Sequence, residues 1–245
     1  FIKDNYPAVS LIANRQNLGA CKARNQGIAA SSGRWVITLD CDIILERDFI
    51  TGITEAIKFS SSKVGIIQPK ILSSDQIRIY STGISLSFFR RFYDIGRNQV
   101  DNGQFSIPAY IFGACSAAAA YKRQMLEEIK EDSGYFDERF FFLVEDVDLA
   151  WRAQKKGWQA LFFPGAVCNH FGNSSGFDKK LRQYLCFRNR YYSIIKNEGL
   201  MKYALKFFPL LCYDLPRLLY LLVTNQYVFK KWPKSMKHII IPPLS

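Results

Sequence analysis

The chain has 245 residues, 49% hydrophobic and 22% charged, enough for one large domain or two small ones around a substantial core, which excludes a disordered or fibrous chain. Lysine and arginine number 33 against 21 aspartates and glutamates, a net charge of +12 that favours phosphate-bearing partners: nucleotides, nucleic acid or anionic lipid. The six cysteines (21, 41, 115, 168, 186, 212) stand singly with no Cys-x-x-Cys pair, which argues against a zinc site and suits free thiols in a reducing compartment.

Val9 to Ala13 reads as a strand, Asn17-Leu18-Gly19 as a turn and Ala20 to Ala30 as an amphipathic helix rich in small residues. After Ser31-Ser32-Gly33, Val36, Ile37 and Leu39 form a short buried strand that ends in Asp40-Cys41-Asp42. Strand, helix and strand make a βαβ unit, which predicts a parallel pair. An extended chain through Asp40 and Asp42 sets both carboxylates on one side, at the strand end where α/β sheets form ligand crevices. Two hard oxygen ligands there suit Mg²⁺ or Mn²⁺ shared with a substrate phosphate. A solvated turn after a buried strand is the competing explanation of the same residues.

Further along, Asp48 is a candidate cap for a helix over Phe49 to Phe59. Val64 to Ile67 reads as a buried strand closed by Pro69, and Ile77 to Leu86 as β structure broken by Gly83. Phe88 to Phe105 is aromatic and basic, a loop or hairpin. Ala109 to Ala114 leads into small residues through Tyr121, a pattern that implies close approach of another backbone or a ligand, and Arg123 to Lys130 reads as a helix. The apolar run Phe140 to Val144 delivers Glu145-Asp146-Val147-Asp148 into a helix ending near Lys156-Gly157, with Asp148 and Arg152 spaced to pair. Helix capping accounts for Asp148, but less well for carboxylates brought in by five apolar residues. Trp158 to Phe163 reads as a strand closed by Pro164-Gly165, followed by His170 and a polar loop over 172–176. Asp178 to Lys196 is a basic, aromatic helix. Leu200 to Val223 is strongly apolar but interrupted by charges and prolines, which disfavours a bilayer span and fits interfacial helices; Lys230, Lys231, Trp232, Lys234 and Lys237 add a basic edge suited to anionic headgroups.

Three features taken together carry a resemblance: Asn17-Leu18-Gly19 before a helix with Arg24-Asn25-x-Gly27, a strand ending Asp40-x-Asp42, and Phe136-Asp137-Glu138 leading to Glu145-Asp146-Val147-Asp148-Leu149, then Arg152, Gly157, Trp158, Pro164 and His170. Over about residues 9 to 190 the chain resembles the family 2 glycosyltransferases, nearest their rhamnosyltransferase-like branch. The resemblance implies an α/β GT-A fold, a mixed sheet flanked by helices, over 1–198 and an amphipathic helical tail over 199–245. It implies a nucleotide-diphosphate sugar donor, a divalent metal (Mg²⁺ or Mn²⁺), and inverting transfer to a hydroxyl of a glycan or lipid-linked acceptor in bacterial surface polysaccharide synthesis. By position, Asp146 matches the general base and Glu145 its neighbour. Asp42, Asp40 and His170 match the metal shell, although that branch often has Asn at the position of Asp40. Asn17, Gly19, Arg24, Asn25, Asp40, Gly113 and Ala114 match the donor-binding segments.

Expected partners include an anionic membrane surface through 200–237, at the cytoplasmic face of the cell membrane, and no nucleic acid, since no motif of that class is present. The family also opens with a strand-helix-strand unit for the nucleotide base. Only eight residues precede Val9 and the chain begins without Met, so a truncated N-terminus is expected. The alternative function is accordingly an inactive truncated homologue acting as a binding or scaffold protein.

Overall fold

The computed structural model describes residues 1–172, 178–199, 201–202, 207–225 and 228. After a single helical turn, α1 (Ile2–Asn5), the chain is irregular to α2 (Gly19–Ala30). Then follow β1 (Trp35–Leu39), β2 (Ile43–Leu45), α3 (Phe49–Phe59), β3 (Val64–Ser73), β4 (Ile79–Ser81), β5 (Ile84–Leu86), β6 (Phe92–Asp94), β7 (Ala109–Ile111), β8 (Ala118–Lys122) and α4 (Arg123–Ile129). A 3₁₀ turn at Glu138–Phe140 precedes α5 (Glu145–Lys155), β9 (Gln159–His170), α6 (Lys179–Glu198) and α7 (Phe207–Thr224).

The main sheet has the order β1-β8-β3-β9-β2, with β4 added to β3 and β7 to β9; β5 and β6 form a separate hairpin. Among the described residues only β3 and β9 run parallel, and the other pairs are antiparallel. The sheet is therefore mixed, and its central strands β8 and β3 are largely buried on both faces. Strand alternation divides the core: Ile66, Ala119 and Tyr121 face α2, α4 and α5, whereas Ile67, Ala118 and Ala120 face Phe49, Ile53 and Ala56 of α3. The alanines of β8 let it lie between β1 and β3 beneath helices on both sides.

Several sequence expectations are corrected. Residues 9–13 form no strand; Val9, Leu11 and Ile12 are exposed, and β1 pairs only with β8, so the parallel βαβ pair is absent among the described residues. Apolar composition alone does not make a strand when no partner supplies its ladder bonds. Neither Pro69 nor Pro164-Gly165 ends its strand. The β3–β9 register shifts there, Pro69 opposite Phe163 but Lys70 opposite Val167. The residues between bulge out, where a proline's missing N–H costs no ladder bond. The bulge is also a packing site, since a Cβ on Gly52 of α3 would lie 2.3 Å from the Gly165 carbonyl oxygen. The Asp48 side chain makes no cap hydrogen bond.

The helices over 20–30, 49–59, 123–130, 146–156 and 178–196 and the break at Gly83 are observed within a few residues of their expected bounds. The 88–105 segment contains the β5–β6 hairpin turn and β6. The polar loop over 173–176 and the basic cluster at Lys230, Lys231, Trp232, Lys234 and Lys237 lie outside the described residues. Among the described residues no helix is long and apolar enough to cross a membrane.

Candidate active site

The carboxyl end of β1 opens into a crevice of about 500 Å³. Asp40 and Asp42 both line it, but a turn brings them together, not strand alternation. Asp40 N–H donates to the Ala117 carbonyl (2.8 Å), and Ile43 N–H donates back to the Asp40 carbonyl (3.2 Å). On β9, His170 sits opposite Ile43. That register places its Nε2 3.2 Å from Asp42 Oδ1, with Tyr80 packed edge-on at 4.1 Å between ring centroids.

The ligand atoms of Asp40, Asp42 and His170 lie within 4.8 Å of one another. His170 is buried and its Nδ1 has no hydrogen-bond partner. A buried imidazole nitrogen left unsatisfied costs free energy in isolation, and two carboxylates with one imidazole form a donor set that fits a divalent cation. A second acidic group, Glu131, Asp137 and Asp148, does not fit one. The ammonium of Lys196 occupies its centre, 2.6, 2.8 and 2.8 Å from the three carboxylates. Arg139 and Arg152 add bonds to Asp137 and Asp148, so this cluster is a structural ion network.

Across the crevice lies the N-terminus of α5. Phe141, Leu143 and Val144 have φ of 65°, 69° and 73°, a region costly to any side chain and most of all to β-branched Val144. The strain turns the apolar run so that it ends with Glu145 and Asp146 at the crevice. It is held from α6 by the Asn189 amide, which donates toward the carbonyls of Phe140, Phe142 and Leu143 at 3.1, 2.9 and 2.7 Å. It is held from α2 by Gly19 (φ 85°), where a Cβ would come within 2.5 Å of the Phe141 carbonyl oxygen. Asn17 supplies the turn before it, accepting from Gly19 N–H at 2.9 Å.

The two carboxylates of the pair differ. Glu145 is buried and bound by Arg24 Nη1 at 2.5 Å, while Arg24 Nη2 binds Asp40 at 2.7 Å. One guanidinium thus bridges the β1 turn and the start of α5. Among the described residues Asp146 has no ion-pair partner; it accepts from Val147 N–H at 2.9 Å and, weakly, from Ser116 N–H at 3.4 Å. Burial, then the charges of Glu145 and Asp94, push its carboxyl up to about 7. Asp146 is therefore the one member of the pair suited to exchange a proton near neutral pH.

Of the residues singled out in the sequence, Asn17, Gly19, Arg24, Asp40, Asp42, Glu145, Asp146 and His170 line the crevice. Asn25, Gly113 and Ala114 do not. Asn25 is buried and ties Phe136 N–H and carbonyl to α2 (2.8 Å each). Gly113 is a packing contact, since a Cβ there would meet Ala150 Cβ at 2.3 Å, and Ala114 is buried in the core. Their neighbours Cys115, Ser116 and Ala117 reach the crevice instead. Sequence reading missed the Arg24 bridge and the Asn189 clamp. Both join segments more than forty residues apart, and no local spacing announces them.

The model of glycosyl transferase family group 2 matches residues 35–236. Over 46 residues the chain is 48% identical to N-acetylglucosaminyl-diphospho-decaprenol L-rhamnosyltransferase of Mycobacterium tuberculosis, in two strains, covering 18% of this chain and 15% of that protein. Among solved structures, GalNAc-T7 with UDP, GalNAc and Mn²⁺ superposes with a TM-score of 0.53 at 14% identity, covering 75% of this chain and 35% of that one. The mannosyltransferase PcManGT from Pyrobaculum calidifontis, in complex with GDP-Man and Mn²⁺, gives a TM-score of 0.49 at 16% identity over 79% and 49%. The chain thus spans well under two thirds of these relatives. The mixed sheet flanked by helices is a GT-A fold, shared with the GalNAc-T7 structure. The chain belongs to glycosyl transferase family group 2.

Proposed function

We propose that the protein transfers a sugar from a nucleotide-diphosphate donor to a hydroxyl of a glycan or lipid-linked acceptor, with inversion at the anomeric carbon. The observation that carries this reading is the asymmetry of the acidic pair: Glu145 is neutralised by Arg24, whereas Asp146 faces the crevice unpaired, with its carboxyl raised to about 7. Asp40, Asp42 and His170 are the residues that would hold Mg²⁺ or Mn²⁺, and a cation there would supply neutralisation of charge on the leaving diphosphate. Arg24 keeps the β1 turn and α5 in fixed relation, so the donor and the base are set before the acceptor arrives. Asp146 accepts the acceptor hydroxyl proton as the oxygen bonds to the anomeric carbon. The anomeric carbon–oxygen bond breaks on the opposite face, and the nucleoside diphosphate leaves with the electron pair.

The tail over 199–245 is proposed to rest on the cytoplasmic face of the cell membrane, a reading supported by exposed Leu215, Leu219, Tyr220 and Val223 on α7. The test of the catalytic reading is release of nucleoside diphosphate from a panel of UDP-, GDP- and dTDP-sugars with Mn²⁺ or Mg²⁺. Metal-dependent release that is lost in Asp42→Ala is expected. Metal-dependent nucleotide binding without turnover, in the presence of lipid-linked acceptors, would instead favour an inactive binding protein.

A further inference from the structure

A second cavity, of about 550 Å³, opens on the other side of Asp146. It shares Tyr80, Cys115, Leu143, Val144 and Asp146 with the first, so the candidate base stands in the wall between them. None of Asp40, Asp42 and His170 lines this second cavity, and its carboxylates are Asp94 and Asp146. Its cations are Arg91, Arg190 and Arg217.

These three arginines are not equivalent. Arg190 of α6 is buried and fully engaged. Its Nη1 donates to both oxygens of Asp214 on α7 (2.7 Å each), its Nε to the Arg90 carbonyl (2.9 Å) and its Nη2 to the Phe89 carbonyl (2.8 Å). Its charge is spent on Asp214, and its effect is to fasten the β5–β6 hairpin turn and α7 to the same point of α6. Arg91 is the next residue of the hairpin, and Arg217 lies three residues beyond Asp214, on the same helical face. Both therefore line one cavity from opposite elements. Both are exposed, and among the described residues neither side chain has a hydrogen-bond or ion-pair partner. Arg90, by contrast, is paired with Glu198. Two unpaired guanidiniums held by a buried clamp above a cavity form a site for a bidentate oxyanion.

The structure assigns this cavity to the acceptor, and we infer that Arg91 and Arg217 bind a phosphate or diphosphate group carried by the acceptor while its hydroxyl reaches Asp146. The inference rests on the proposed transferase reading and names its acceptor class: a phosphorylated or diphosphate-linked glycoside. The exposed apolar residues of α7, on the helix that supplies Arg217, would lie beside a hydrocarbon chain on that group.

The test is calorimetric binding of decyl diphosphate and of inorganic pyrophosphate to the 245-residue chain in EDTA, compared with the Arg91→Gln/Arg217→Gln double variant. Neither side chain supports the fold, so the double variant should keep its melting temperature. The expected result is a loss of affinity of about tenfold or more for decyl diphosphate in the variant, two charge-assisted contacts being removed. Tighter binding of decyl diphosphate than of pyrophosphate would point to a lipid-linked acceptor. Equal, arginine-dependent binding of the two would point to a free glycosyl phosphate. Either supports the site. Binding of decyl diphosphate unchanged in the variant, or absent from the wild type, overturns it. UDP, GDP and dTDP titrated with Mn²⁺ read the first cavity separately: their binding should be unaffected by the double substitution, and its failure in the wild type would count against the transferase reading and not against the arginine pair.

Discussion

Asp146 is the residue at which stability and chemistry oppose each other. Its carboxyl is raised by burial and by Glu145 and Asp94, so ionising it costs more in the folded than in the unfolded chain. A carboxyl with a raised folded pKa favours folding at low pH and loses that contribution as pH rises toward about 7. Asp146→Asn removes the penalty, so at pH 8 its melting temperature should equal or exceed the wild type by up to a few degrees. A fall of several degrees would mean that the carboxylate is a structural partner. Asp137 is the converse case. Burial pushes its carboxyl up, but hydrogen bonds from Arg139 and the charge of Lys196 outweigh this and hold it below the usual carboxylate range. Its contribution is complete above the unfolded value of about 4 and is lost as pH falls below that. Lys196→Met leaves Asp137 and Asp148 without their shared cation at full burial, and should cost about 3–5 kcal/mol in urea denaturation at pH 7. A cost under about 1 kcal/mol would contradict the central place given to Lys196.

At the scale of elements, the segment 140–144 does the positioning, and α6 holds it there. Asn189→Ala removes the amide that three carbonyls share and should lower stability by about 1–3 kcal/mol. If the strained run aims Asp146, the variant's turnover should fall further than its nucleotide affinity, measured side by side; equal losses would make Asn189 a packing residue only. The helices were legible in the sequence because their apolar spacing is local. His170 was singled out as a residue following a strand, whereas it is the last residue of β9. The strand breaks at Pro69 and Pro164 were misread because each proline falls at a register shift that only the paired strand reveals. The left-handed backbone at Leu143 and Val144 was invisible for the opposite reason: nothing about Leu or Val signals a positive φ, and distant Asn189 stabilises it.

For the molecule as a whole, the fold class and the acidic crevice followed from motif order, whereas Asn25 and Gly113 lie outside the crevice lining. Small or polar residues beside a ligand segment serve packing as often as binding, and here they close α2 onto Phe136 and a loop onto α5. The Asp40–Asp42 geometry agreed with expectation by a different route, a turn in place of an extended strand. The net charge of +12 and the exposed apolar residues of α7 predict binding to anionic vesicles that weakens as salt rises from 50 to 500 mM, flotation being the readout. Binding equal on neutral and anionic vesicles at every salt concentration would remove the electrostatic part of that prediction.

The most direct test of the central claim, that Asp146 takes the acceptor proton, is the pH dependence of single-turnover transfer at saturating donor and Mn²⁺, for the wild type and Asp146→Asn. The wild-type rate should rise with pH through a transition near the raised value of about 7, and the variant should be slower by roughly two to four orders of magnitude with nucleotide binding intact. A variant that transfers at the wild-type rate, or one that keeps the same pH transition, would contradict the assignment.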